Sequence, residues 1–271
     1  MVKAVSFFKR RAGMPVAEFQ AYWRAKHPAV VLRLPGVRRY VQSHTLPAGY
    51  RKGEPIYDGI AELWFEDTKA MHGLRGTREL AAVEADEAVF IDRSTMRLIL
   101  TEEHVIKDGA VPPGGVKNVE FVTRRPDLDV DAFQRYWREV HGPLAAEIPM
   151  IRRYVQSHTR RSAYERGRVP AYDGVAITWF DDTQAMRALA KTPQYVAVLA
   201  DEPNFIDAPS MGSIITDEYV VKDGPVPQGA VKSIDLLTRR QGMSVESFQQ
   251  YWREVHGPLC RGAAFESRKA A

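Results

Sequence analysis

The chain repeats itself, and the repeat decides what it can fold into. The segment FQRYWREVHGPL at Phe133–Leu144 returns as FQQYWREVHGPL at Phe248–Leu259, and a looser form, FQAYWRAKHPAV, stands at Phe19–Val30. PGVRRYVQSH at Pro35–His44 returns as PMIRRYVQSH at Pro149–His158. YDGIAELWF at Tyr57 matches YDGVAITWF at Tyr172, and EEHVIKDGAVP at Glu102 matches DEYVVKDGPVP at Asp217. The period is 114 residues early in the unit and 115 later, with the extra residue in the loop before Tyr172. The 271 residues thus divide into a module over 1–108, a linker over 109–115, a second module over 116–223, a linker over 224–230 and a truncated third copy over 231–271.

Each full module predicts the order βαββαβ. Val2–Arg10 and Val116–Arg124 are apolar-rich openings of strand type. Phe19, Tyr22, Trp23 and Val30, and in the second copy Val130, Phe133, Tyr136, Trp137 and Val140, follow helical spacing. Pro15 suits a first helical turn, and Gly142-Pro143 is expected to end the second copy's helix. Val37–Thr45 and Tyr57–Phe65 read as strands two and three, the Asp67-Thr68 and Asp182-Thr183 pairs as helix starts, and Met96–Ile106 and Gly212–Val221 as closing strands. A split βαβ pair is the ferredoxin-like arrangement, an α+β fold whose sheet has one face covered by its own helices. The other face must be buried. Two covalently joined modules can bury each other's, which predicts an intrachain pseudo-dimer with a barrel-like core.

The third copy carries one strand and one helix, then breaks off at Leu259: CRGAAFESRKAA shares nothing with the AAEIPMIRRYVQ that follows Leu144. Such a cut is what a premature end or a shifted reading frame would leave. His256 there has no strand-two partner, so no third site is expected, and the fragment offers a surface for self-association.

Composition narrows the function classes. The formal charge is +4, but 38 basic residues are interspersed with 34 acidic ones, and doublets such as Arg10-Arg11, Arg124-Arg125 and Arg239-Arg240 recur at strand ends, where salt bridges suffice to explain them. No basic stripe or RNA-binding aromatic signature is present, so nucleic acid is not an expected partner. Neither is a membrane, since no apolar run is long enough to span one. One cysteine, Cys260, excludes an intramolecular disulfide and suits a cytoplasmic setting. There is no GxGxxG opening a helix, no P-loop, no CxxC and no HExxH.

The pattern F-x-x-Y-W-x-x-x-H-G-P-L, here Phe133, Tyr136, Trp137, His141, Gly142, Pro143 and Leu144, resembles the EthD-domain signature, as do the R-Y-V-Q-S-H and Y-D-G strands and the F-I-D segments Phe90–Asp92 and Phe205–Asp207. The resemblance spans nearly all of residues 1–222 and implies a dimeric α/β-barrel of the ferredoxin-like superfamily. The family takes its name from a protein associated with a haem monooxygenase system for ether degradation. Superfamily relatives include cofactor-free monooxygenases, muconolactone isomerases and polyketide cyclases or dehydratases, so the resemblance implies a fold more closely than a reaction. Module 1 departs from the signature after its histidine, where Pro28-Ala29 replaces Gly-Pro.

Two histidines seventeen residues apart recur in each copy, His27 with His44 and His141 with His158. Histidine moves protons near neutral pH. His27 and His141 either cap a helix C-terminus or line a pocket beside Trp23 and Trp137. On strand two, alternation puts Tyr40, Gln42 and His44 on one face, repeated as Tyr154, Gln156 and His158. These line a pocket between sheet and helices or hydrogen-bond across the module interface. Asp58 and Asp173, on the face of Trp64 and Trp179, either orient a histidine or belong to a turn. Trp23, Trp64, Trp137 and Trp179 are core or pocket wall. His72 and His104 become Arg187 and Tyr219 in the second copy and are expected at the surface.

The resulting expectation is a small, largely apolar carbonyl or aromatic metabolite held in each module, with cofactor-free proton-transfer or oxidation chemistry. His141 and His158 would act with Asp173 and Tyr154 orienting them, mirrored by His27, His44, Asp58 and Tyr40. Trp137, Trp179, Gln156, Trp23, Trp64 and Gln42 would contact the ligand. No cofactor is required, with haem or a metal left open. The alternative is a non-catalytic module that carries a hydrophobic intermediate to a partner oxygenase.

Overall fold

The computed structural model describes residues 2–224. The third copy and its self-association surface lie outside these residues. Strands β1 (Val2–Arg10), β2 (Val37–Thr45), β3 (Gly59–Phe65) and β4 (Ile91–Lys107) come from module 1, and β5 (Val116–Val122), β6 (Arg153–Thr159), β7 (Gly174–Phe180) and β8 (Gly212–Lys222) from module 2. Helices α1 (Val16–Ala25) and α2 (Pro28–Val31) follow β1, and α3 (Thr68–His72) and α4 (Arg78–Phe90) follow β3. Their counterparts are α5 (Val130–Tyr136), α6 (Gly142–Ala146), α7 (Thr183–Ala188) and α8 (Pro193–Asp201).

All eight strands close into one antiparallel barrel in the order β1-β3-β2-β8-β5-β7-β6-β4. The closing strands make the joint. β4 pairs with β1 up to Thr101 and with β6 of the other module from Thr101 to Lys107. β8 likewise pairs with β5 up to Thr216 and with β2 from there to Lys222. The expected pseudo-dimer is therefore a single hydrogen-bonded cylinder with no free edge among the described strands.

Alternation sends odd-numbered residues of β1 and β5 inward. Phe7 and Phe121 meet edge-on with centroids 5.2 Å apart, and Tyr57 and Tyr172 pack around them. The two tyrosine hydroxyls hydrogen-bond to each other at 2.9 Å across the pseudo-two-fold. Among the aliphatic side chains that fill the rest of the lumen sits a cluster of ions. Lys3 Nζ reaches Glu103 Oε1 at 2.8 Å and also bonds Ser157, and Lys117 Nζ reaches Glu218 Oε2 at 2.7 Å, Ser43 Oγ at 3.0 Å and Glu62. Trp64 Nε1 donates to Glu103 at 2.8 Å. Burial raises the carboxyls of Glu103 and Glu218, yet the charge and hydrogen bond of Lys3 and Lys117 outweigh it and hold both below their ordinary value. Glu62 has no symmetric counterpart, because Ile177 occupies its place in β7.

Two helix expectations are revised. The second helix of each module is split in two, with side-chain caps from Asp67 and Asp182 (each 2.7 Å to a backbone N–H) and then from Thr77 and Thr192. Gly142-Pro143 does not end its helix. A π turn over Trp137–His141 lets the chain run on into α6, with Pro143 in the first turn, where its missing N–H leaves no bond unmade.

Candidate functional site

Even-numbered residues of β2 and β6 face outward, beneath α1 and α5, and this settles where the Tyr-Gln-His rows lie: between sheet and helix, not between modules. In module 2 the indole Nε1 of Trp137 donates to Tyr154 Oη at 3.2 Å. Gln156 Nε2 donates to the Trp137 carbonyl at 2.8 Å and to Tyr154 Oη at 3.0 Å, and His158 Nε2 meets Gln156 Oε1 at 2.9 Å. Module 1 repeats the set with Trp23–Tyr40 at 2.9 Å, Gln42 to Trp23 O at 3.2 Å and to Tyr40 at 3.0 Å, and His44–Gln42 at 3.1 Å.

This chain fixes the histidine tautomer. A backbone carbonyl can only accept, so the glutamine amide must turn its NH2 toward the tryptophan carbonyl and its oxygen toward the imidazole. The imidazole nitrogen facing that oxygen must then carry the proton. His44 and His158 are thus held as Nε2–H, with the lone pair on Nδ1. Both Nδ1 atoms are buried and have no hydrogen-bond partner within the protein. Arg24 Nε approaches His44 Nε2 at 3.5 Å, a contact too long to compete with the glutamine. Burial drives both imidazoles well below their ordinary pKa, assisted by the charge of Arg24 at His44 and of His104 and Arg138 at His158. Each ring rests on its module's tryptophan, with centroids 4.5 Å apart.

The helix histidines form a second layer. His27 Nδ1 lies 2.7 Å from Asp86 Oδ2, and Tyr22 Oη donates to Asp86 Oδ1 at 2.7 Å. In module 2, His141 Nδ1 lies 2.8 Å from Asp201 Oδ2, and Tyr136 Oη donates to Asp201 Oδ1 at 2.5 Å. Neither histidine spends its Nδ1 on a helix-end carbonyl. Both bond a carboxylate from the module's long second helix, and the phenylalanines of the F-I-D segments, Phe90 and Phe205, pack on the rings at 5.1 and 4.6 Å. Burial lowers the His141 pKa against the opposing pull of Asp201.

The aspartates chosen from the sequence are elsewhere. Asp58 accepts from Arg10 N at 2.9 Å, Arg10 Nη1 at 2.5 Å and Tyr50 Oη at 2.7 Å. Asp173 accepts from Arg124 N at 2.9 Å, from the Arg124 guanidinium and from Tyr164 Oη at 2.7 Å. They pin the strand ends and the following loop, and the structure does not bring them to a histidine. Trp64 and Trp179 are also separated from the rest: they lie in the lumen near Lys3 and Lys117. His104, expected at the surface, is half-buried and packs against His158, whereas His72 is exposed.

Asp86 and Asp201 were not singled out from the sequence, although an Ala-Asp-Glu triplet recurs at 85–87 and 200–202. The lumen ions were missed too. Their signal was a repeated Val-Lys at the strand start, with lysine on the parity of the buried apolar residues.

Among the described residues no cluster of three or more His, Cys, Asp or Glu side chains is arranged to hold a metal ion. Among them also, no helix is long and apolar enough to cross a membrane.

The profile of the EthD domain matches the chain twice, at residues 11–94 and 125–209. Among solved structures, a Lactobacillus acidophilus protein carrying a provisional monooxygenase label is 11% identical, over 85% of this chain and 98% of that one, with a TM-score of 0.50. An anthrone oxidase-like protein is 10% identical over 81% of this chain and 92% of that one, with a TM-score of 0.55. An EthD family protein of Bacillus halodurans is 22% identical over 39% of this chain and 99% of its own, with a TM-score of 0.32. At such identities the likeness to the first two speaks for fold and not for reaction. A search of curated proteins returns no match.

Proposed function

The chain belongs to the EthD family, and on that footing we propose that it is an enzyme in which a buried neutral histidine, His158 and its counterpart His44, acts as general base on a small, largely apolar carbonyl or aromatic metabolite. The observation that carries this reading is the same unpartnered Nδ1 in both modules. Buried polar atoms are nearly always partnered, so a lone pair left open twice, at equivalent places, by a network that enforces it, calls for a chemical use. An imidazole that is neutral at pH 7 can take a proton, and the desolvated setting strengthens the base's interaction with an acidic C–H or O–H.

In the proposed step the proton passes from the substrate to Nδ1, leaving an imidazolium and an enolate or phenolate whose electron pair is spread over the carbonyl or ring. Returning the proton elsewhere isomerises the substrate; expelling a β-hydroxyl as water dehydrates it. With dioxygen as oxidant, the same anion is the reductant. None of these routes requires a bound cofactor: in the first two the carbonyl or ring takes up the electron pair, and in the third dioxygen does. Asp201 and Asp86 hold His141 and His27 in the orientation of a helper pair, with Nδ1–H on the carboxylate.

The test is turnover of a polycyclic ketone with an acidic methylene, anthrone being the first probe. Replacing His158 and His44 together by alanine should lower kcat/KM by about a hundredfold or more, the usual contribution of a positioned base. Unchanged turnover in a folded double variant would remove these residues from the chemistry.

A further inference from the structure

The two modules do not complete their own sites. The strand that covers His158 is β4, from module 1, and the strand that covers His44 is β8, from module 2. In register, His104 stands opposite Gln156 and Glu102 opposite His158; Tyr219 stands opposite Gln42 and Asp217 opposite His44. The covering residues differ. The His104 ring meets that of His158 with centroids 4.5 Å apart at 66°. Tyr219 meets His44 at 5.2 Å and 87°, and the Arg24 guanidinium lies 3.8 Å over the tyrosine ring. Arg138, the counterpart of Arg24, bonds Glu139 at 2.7 Å, where module 1 has Ala25.

We infer that His104 is the proton-exchange partner of His158, carrying protons between solvent and the buried Nδ1, so that the site of module 2 exchanges protons and the site of module 1 does not. This deepens the general-base reading and rests on it. His104 is half-buried and touches a His158 that is buried, so it reaches solvent where its neighbour does not, which is what a carrier needs. In the transfer the His104 ring, which touches His158 without a hydrogen bond to it at rest, turns until a ring nitrogen of its imidazolium meets His158 Nδ1, and the proton passes across. His104 becomes neutral, His158 becomes the imidazolium, and water recharges His104. A tyrosine cannot take that part, since its hydroxyl neither gains nor gives a proton easily near neutral pH.

The groups facing the pair are few. Arg138 on the π turn disfavours a second positive charge, Glu102 opposite His158 favours one, and Glu103 is turned into the lumen and held by Lys3. Burial and Arg138 lower the His104 pKa against the pull of Glu102 and Glu103. The two rings are too close for both to be charged at once, and a proton shared between them belongs to the pair.

Solvent exchange of the ring Nε2–H reports this directly. In mild acid, where hydroxide is scarce, a neutral imidazole loses that hydrogen chiefly after Nδ1 has been protonated. In the full chain, with ring nitrogens labelled for NMR, His158 should exchange faster than His44. His104→Tyr should slow His158 by about tenfold or more, the loss expected when a positioned proton carrier is removed. The module 1 geometry already accommodates tyrosine at this place, and His104→Gln provides a second non-titrating variant should tyrosine disturb folding. Equal exchange at His44 and His158 in the parent protein would overturn the inference, as would a His158 rate that the variants leave unchanged. Loss of fast exchange in a protein without turnover in any form would instead count against the catalytic reading and leave the pair standing.

Discussion

The imidazole of His158 lies parallel to the indole of Trp137, with centroids 4.5 Å apart and planes 1° from parallel; the equivalent His44 and Trp23 are tilted by 40°. In module 2 the stack is seated on a glycine. A Cβ at Gly174 would fall 2.5 Å from the Trp137 ring and 2.7 Å from the Ser157 carbonyl. The glycine of the Tyr-Asp-Gly motif is therefore a matter of space beneath the tryptophan. Gly174→Ala should destabilise the fold by about 3 kcal/mol, at the upper end for overpacking because one of the two obstacles is backbone. Chemical denaturation, read with the near-ultraviolet signal of the tryptophans, measures it.

Gln156 joins three groups at once. Gln156→Leu would strand the Trp137 carbonyl, a hydrogen bond to Tyr154 and the His158 Nε2–H in a dry place, and should cost about 2–4 kcal/mol. Gln156→Glu gives a sharper contrast. A carboxylate cannot donate to the Trp137 carbonyl, and its charge beside His158 should raise that imidazole's pKa, detectable by NMR titration.

The buried histidines make stability fall in mild acid. His44, His158, His141 and His104 all have folded pKa values below the ordinary 6.5. As pH drops below about 6.5, the unfolded chain takes up protons that the folded chain refuses, so stability declines until the folded values are reached, by up to about 1.4 kcal/mol per pH unit for each group. Glu202 works in the opposite direction. Burial, with the nearby charges of Glu120 and Asp201, raises it to about 7, so it favours the fold below its unfolded value of 4.5 and loses that contribution as pH rises through about 7. Glu120 and Asp217, also raised by burial, act with Glu202, and four histidines against three carboxyls predict a net loss between pH 6.5 and 5. Urea unfolding at pH 7.5, 6 and 5 would reveal a rising or flat stability if the histidines are not buried as described.

Fold was more legible than site, and the particular residues show why. The repeat, the strand parity of Tyr40, Gln42 and His44, and the need to bury a second sheet face led directly to the closed barrel. Asp58 and Asp173 were misleading because their backbone runs beside that of His44 and His158 while their carboxylates turn to arginines. Arg10 and Arg124, on the neighbouring strands, claim both oxygens. Asp86 and Asp201 are 59 and 60 positions from their histidines and meet them only when the two helices of a module pack together. His104 was equally hidden. Its partner lies in the other module, and only the strand exchange that closes the barrel brings the two rings together.

The lumen ions make a further prediction. Glu62 bonds Lys117 and lies 3.8 Å from Lys3, and both lysines are fully buried. Glu62→Gln removes the shared negative charge but leaves Lys3 its Glu103 and Lys117 its Glu218, and should cost about 1–3 kcal/mol, the range for weakening hydrogen bonds to buried charged groups. The cost should shrink at high pH, where Lys117, whose pKa is already lowered by burial, can shed its proton. A thermal melt series from pH 7 to 10 reads this out.

The central claim is that His44 and His158 are neutral bases with an open Nδ1. Long-range proton–nitrogen NMR of the ring atoms at pH 7, on the full chain, tests it most directly. The prediction is two neutral imidazoles, assigned by His44→Gln and His158→Gln, each with its proton on Nε2 and a bare Nδ1. An imidazolium at either position, or a proton resting on Nδ1, would contradict it.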